Sequence, residues 1–258
     1  MKGANLNNTA NQALSKVPEV TLIFWIIKIA ATTLGETGGD AVSMSMNLGY
    51  LNGTVIFAAV FAIAVFAQIK AQRFHPFLYW ITIIATTTVG TTLADFADRS
   101  LGIGYAGGTS LLIVLLIASL AIWNKSLGSV SIDTVSSPKE EMFYWITIMF
   151  SQTLGTALGD WSADTEGLGY VGGAILFSVL LGVVAATYYW TKISRTFLFW
   201  AAFILTRPFG AVVGDFLDKP IHEGGLALSR FSASATLIVI IVACILIFTQ
   251  RAGKSAAH

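Results

Sequence analysis

Four aspartates recur in apolar surroundings, each five residues after a glycine: Gly35/Asp40, Gly90/Asp95, Gly155/Asp160 and Gly210/Asp215. Successive aspartates are 55, 65 and 55 residues apart. A carboxylate is expensive in hydrocarbon, so one repeated at a fixed position marks a site with a function. Reading back from each aspartate in steps of four, the spacing of one helix face, gives Lys28-Thr32-Glu36-Asp40, Thr87-Thr91-Asp95, Gln152-Thr156-Asp160 and Arg207-Ala211-Asp215. Set in register, these stripes form layers: the four aspartates, then Glu36, Thr91, Thr156 and Ala211, then Thr32, Thr87, Gln152 and Arg207. Carboxylate with hydroxyl and carbonyl oxygen suits hard cations, and rings of carboxylate at one depth attract them. Asp40, Asp95, Asp160, Asp215 and Glu36 are therefore the candidate ligands for a metal ion or another cation. Lys28, Arg207, Thr91, Thr156 and Gln152 are candidates for lining its pathway or balancing charge. The two cations among them are expected to neutralise Glu36 and the neighbouring aspartates.

The elements that must position these stripes follow from composition. With 55% hydrophobic and 11% charged residues and a mean hydropathy of +0.74, the chain reads as an integral membrane protein. Eight apolar runs are long enough to cross about 30 Å of hydrocarbon, near 19–42, 47–69, 76–97, 104–123, 141–163, 168–190, 196–217 and 226–249. The odd-numbered runs end in the glycine–aspartate motif, and a short glycine-bearing turn leads into the next run. Gly49, Gly104, Gly169 and Gly224, nine residues beyond each aspartate, suit a turn needing positive φ or close helix approach. Small residues at i and i+4, as in Gly35/Gly39 and Gly155/Gly159, let helix backbones come together in lipid.

The expected fold is all-α and integral to the membrane: eight transmembrane helices as four helical hairpin repeats, inserted in parallel and pseudo-symmetric about the membrane normal. The repeats cover 19–70, 74–124, 139–191 and 194–250 of a single membrane domain, with a cytoplasmic connector over 124–141. Lys2, Lys16, Lys70, Arg73, Lys125, Lys139, Lys192, Arg195, Arg251 and Lys254 fall at the termini or between hairpins, which places both termini in the cytoplasm. The opposite face gathers Asp98, Asp164, Glu166, Asp218 and Glu223, with few cations beyond Arg99, Lys219 and Arg230, and reads as a solvated vestibule. Residues 1–18 lack the pattern of a secretory signal and are expected to remain as a lead-in.

Trp25, Trp80, Trp145 and Trp200 stand fifteen residues before the four aspartates, where they would anchor by packing or at the membrane interface. Four tandem two-helix units, each with this tryptophan, resemble a family of bacterial membrane proteins built from four copies of a repeat of unknown function. The resemblance implies architecture and a place in the bacterial cytoplasmic (inner) membrane. The residues themselves favour a transporter for a metal or other small cation with proton exchange. A passive cation channel and a non-transporting sensor or assembly module are the alternatives. No phosphate loop, nucleophile–base set or cysteine–histidine spacing suggests an enzyme. The expected partners are the lipid bilayer and a small cation, not nucleic acid. No cofactor is required, and the oligomeric state is left open.

Overall fold

Each expected run folds as a helix, and local sequence explains most of the boundaries. The computed structural model describes residues 15–165 and 167–253, so Lys2, Lys254 and Glu166 lie outside the described residues. The helices are α1 (Leu22–Asp40), α2 (Gly49–Lys70), α3 (Pro76–Asp95), α4 (Tyr105–Leu127), α5 (Pro138–Asp160), α6 (Gly169–Trp190), α7 (Arg195–Asp218) and α8 (Arg230–Ile247). The Thr21 and Ser194 hydroxyls accept from the first turns of α1 and α7. Ser137 and Glu140 form a reciprocal capping box on α5, whose first residue is Pro138, a position that lacks an intrahelical N–H acceptor in any case. Gly49, Gly104, Gly169 and Gly224 all take positive φ, from 64° to 90°, as the turn between the two helices of each repeat demands.

Three repeats do not stop at their aspartate. The chain winds on through five-residue π-helical turns, Ala41–Ser45, Phe96–Ser100 and Trp161–Thr165. Such wide turns recur at functional sites because they redirect side chains at a helix end. The fourth repeat instead continues as regular α-helix to Asp218.

The odd helices close a ring: α1 packs on α3, α3 on α5, α5 on α7 and α7 on α1. The even helices stand outside it, with α2 against α3, α4 against α5, α6 against α7 and α8 against α1. The second helix of a repeat thus leans mainly on the first helix of the next repeat. The turn of each expected hairpin thus links two helices whose principal partners lie elsewhere, and the last repeat returns to the first.

Six helices, namely α2, α3 with its π turn, α4, α6, α7 and α8, are long and apolar enough to cross a membrane. The architecture is that of a multi-pass membrane protein. α1 and α5 fall short of the apolar standard, and the reason is visible in their sequences. They carry Lys28, Glu36 and Asp40, and Glu140, Glu141, Gln152 and Asp160, within a ring that shields inward-facing groups from hydrocarbon. The outer helices present Val55, Phe66, Ile117, Val183 and Val239 outward, each more than half exposed.

The apolar core fills one end of the ring. Trp80, Trp145 and Trp200 are buried there with Phe24, Tyr79, Tyr144, Phe199 and Phe203, and Trp25 packs against the same cluster. The repeated tryptophan is therefore a packing residue. Edge-to-face pairs such as Tyr144 with Trp145, 5.0 Å between ring centres, add about 0.5–1.5 kcal/mol each beyond simple burial. The segment between α4 and α5 folds across this end, with Ile132 and Val135 in the core. It meets the two terminal segments: Ser15 Oγ donates to Ile132 O at 2.6 Å, Gly253 N to Val17 O at 2.8 Å, and Pro18 bridges Ala252. Lys16 is buried beneath this cap, ion-paired with Glu141 at 2.5 Å.

Candidate cation site

The glycines decide how the stripes face one another. A Cβ on Gly35 would strike the Thr87 side chain, one on Gly155 the Arg207 side chain and one on Gly210 the Thr32 side chain, while one on Gly90 would stand only 3.0 Å from the Gln152 backbone. At each junction of the ring, the residue eight before one aspartate enters the space left by the glycine of the preceding helix. One turn outward, Gly39 faces Thr91, Gly159 faces Ala211 and Gly214 faces Glu36. The same register therefore recurs around the ring, and it turns the polar stripes inward.

Five layers result, spaced about 6 Å apart by four residues of helix. At the apolar end stand Phe24, Tyr79, Tyr144 and Phe199, with the two tyrosine hydroxyls 2.6 Å apart. Next come Lys28, Ile83, Ile148 and Phe203, all fully buried. Then come Thr32, Thr87, Gln152 and Arg207, followed by Glu36, Thr91, Thr156 and Ala211, and finally the four aspartates. Every aspartate is at most 3% exposed although it sits at a helix end.

The acids converge. Oxygens of Glu36, Asp40 and Asp95 lie within 4.8 Å of one another, as do those of Glu36, Asp160 and Asp215, so Glu36 belongs to both triads. A third triad joins Asp40 and Asp215 to Asp218. Arg207, fully buried, donates from Nη2 to Glu36 Oε2 at 3.0 Å and to the hydroxyls of Thr91 and Thr156, and from Nη1 to Thr32 O at 3.4 Å. Thr91 Oγ1 also donates to Gly35 O at 3.1 Å. The guanidinium thus ties together all four inner helices. Buried charges need this degree of pairing, because desolvation otherwise costs several kcal/mol per ion.

Two further cations cover the aspartates from the other side. Arg99 bridges Asp95 at 2.9 Å and Asp160 at 3.3 Å. Lys219 bridges Asp40 at 2.6 Å and Asp215 at 3.1 Å; the second contact is a charge pair whose angle does not make a hydrogen bond. Burial by itself would lower the basicity of Lys219, but Asp215, Asp40 and Asp218 outweigh it and hold its ammonium well above the ordinary lysine range. Arg230 reaches Asp218 at 3.1 Å and Asp40 at 3.7 Å.

The expected site residues are thus brought together, with corrections at Lys28 and Asp218. Lys28 does not neutralise Glu36, because Arg207 holds that position; the Lys28 ammonium lies over the Phe203 ring, 4.1 Å from its centre. Gln152 makes no hydrogen bond through either side-chain atom among the described residues. Asp218 is not part of an open vestibule but is buried and paired with Arg230, whereas Asp164 and Glu223 are exposed and Asp98 is half-buried. Arg99 and Lys219 were placed by sequence on the outer face and not within the site. The missing signal was one more step of four along each stripe, which lands on Arg99 from Asp95 and on Lys219 from Asp215. A separate cavity of about 670 Å³, mostly apolar and lined by Trp25, Ile29, Leu181, Tyr188 and Phe199, holds none of these acids.

A family model described as a repeat of unknown function, DUF347, matches four times, over residues 23–74, 78–127, 143–194 and 198–253. The chain belongs to the DUF347 repeat family. Each DUF347 copy contains one inner helix, its aspartate and one outer helix. Comparison with curated proteins and with solved structures gives no match.

Proposed function

We propose that the protein is a secondary transporter for a small cation, metal or otherwise, which exchanges with protons at the cluster of Glu36, Asp40, Asp95, Asp160 and Asp215. The observation that carries this reading is the sharing of Glu36 between two carboxylate triads, each compact enough to surround one ion. Hard cations are held by several carboxylate and hydroxyl oxygens, and Thr91 and Thr156 add hydroxyls one layer in. Protons compete with cations for the same oxygens, so loading one releases the other.

In this reading all eight helices cross the bacterial cytoplasmic membrane with both termini inside, and the four repeats are related by an axis along the membrane normal. Arg99 and Lys219 act as resident cations, each neutralising two aspartates while the site is empty of substrate. Their long, flexible stems let them swing away toward the outer face. The tyrosine, phenylalanine and isoleucine layers close the inner end. Closure at both ends favours alternating access over a passive channel, which needs a continuous path. A purely structural role for the acids is the competing account, and it predicts no ligand. Calorimetric titration of the purified protein with a panel of monovalent and divalent cations at two pH values separates them. At least one cation binds more weakly at the lower pH and not at all to Glu36→Gln; heat-silent titrations across the panel would overturn the proposal.

A further inference from the structure

Among the buried polar side chains with an atom lacking a hydrogen-bond partner among the described residues are Lys28 Nζ on α1, Thr87 Oγ1 on α3, Gln152 Nε2 and Oε1 and the neighbouring Ser151 Oγ on α5, and Arg207 Nε on α7. Three of these residues occupy one layer and Lys28 the next layer inward, about 6 Å away. Buried polar groups are paired in stable proteins, and each one left alone costs roughly 1–3 kcal/mol, more when charged. Lys28, Thr87, Gln152 and Arg207 bring this unmet demand into two adjacent layers from all four helices of the ring. Every one of them can donate a hydrogen bond.

With Lys28 protonated, the charges in this region do not balance. Arg207 is matched by Glu36 at 3.0 Å. Among the described residues, Lys28 has no ion-pair partner; the face of Phe203 lies beside it, with apolar Ile83 and Ile148 in its own layer. The acids that could have compensated it sit two and three layers outward, already bound to Arg207, Arg99 and Lys219. A cation has no place among these donors.

We infer that Lys28, Thr87, Gln152 and Arg207 form a binding site for a small monovalent anion of halide size. Lys28 supplies the charge, and Gln152 Nε2, Thr87 Oγ1 and Arg207 Nε supply donors around it. Full burial of all four side chains favours a single compact ion over phosphate or a branched carboxylate. The site adjoins the cation cluster through Arg207, which also donates to Glu36, but its unpartnered atoms belong to residues inward of the carboxylate layers.

The test is a measurement of chloride and bromide binding to purified protein by calorimetry and by thermal unfolding, against gluconate at matched ionic strength. The wild type gains a saturable rise in unfolding midpoint with chloride. Lys28→Met, whose side chain suits a layer of isoleucine and phenylalanine, loses the response while folding in gluconate at least as well as the wild type. Lys28→Arg keeps the response, and Gln152→Leu weakens apparent chloride affinity by about tenfold or more, the equivalent of one charge-assisted hydrogen bond. An unfolding midpoint identical in chloride and gluconate would overturn the inference, as would an undiminished halide response in Lys28→Met or, if that variant does not fold, in Gln152→Leu. Failure of cation titration alongside a clear halide response counts against the cation reading alone.

Discussion

Arg207 is the residue on which the polar interior depends. It enters the space left by Gly155, and its guanidinium joins the carboxylate of Glu36, the hydroxyls of Thr91 and Thr156 and the carbonyl of Thr32. Replacing it with methionine strands Glu36 in a buried layer, and removing one partner of a buried pair costs about 3–5 kcal/mol. Arg207→Met is therefore expected to unfold far more readily than the wild type in detergent, and the added change Glu36→Gln is expected to recover much of the loss. Lys219 makes a different prediction because its basicity is raised. A group of that kind contributes its stability fully below its unfolded pKa and loses it only as pH climbs through the raised folded value. The difference in unfolding midpoint between wild type and Lys219→Gln should stay flat from about pH 6 to 9 and shrink only in strong alkali. Most of these residues were legible as members of helical stripes. Which cation met which acid was not, because pairing depends on how helices from different repeats are rotated against one another. Lys28 and Arg207 look alike in sequence, yet only Arg207 reaches Glu36.

At the scale of the helix, small residues set the distances. Gly210 accommodates both the side chain and the backbone of Thr32, with the Thr32 carbonyl carbon 2.9 Å from where a Cβ would stand. Gly210→Ala must push α7 off α1, and overpacking of this kind costs about 1–3 kcal/mol. Gly182, inside α6, has nothing within 4 Å of its would-be Cβ. Gly182→Ala is expected to leave stability unchanged or raise it by roughly 0.5–1 kcal/mol, the ordinary glycine-to-alanine gain in a helix. Comparing the two unfolding midpoints checks whether the glycine repeat works by helix approach. The eight helices and their glycine turns could be read from apolar run length and the period of the motif. The exchange of outer helices between neighbouring repeats could not. A short turn predicts adjacency in sequence, but it does not choose between two equally apolar faces nearby. The π-helical turns were also hidden, since they lengthen a helix through hydrogen bonding that residue type barely signals.

For the whole molecule, the ring of inner helices makes four repeats into one site, and their differences make it asymmetric. Repeats two and four carry the covering cations Arg99 and Lys219, repeat one adds Lys28 and Glu36, and repeat four adds Arg207. With protons and cations competing for the same oxygens, apparent cation affinity should fall as pH falls. Removing a covering cation with Arg99→Gln should raise that affinity, because Asp95 and Asp160 lose their resident partner. Both effects can be followed by titrating cation-dependent uptake into vesicles at several pH values. The most direct measurement of the central claim is cation flux by purified protein in liposomes, across a panel of monovalent and divalent ions with and without a pH gradient. It should be run beside Asp95→Asn and Asp160→Asn variants shown to be folded. We expect the wild type to move at least one cation, faster with an opposing proton gradient, and the variants to lose that flux. A wild type that moves none, or folded variants that move it equally well, would contradict the assignment of the carboxylate cluster as a transport site.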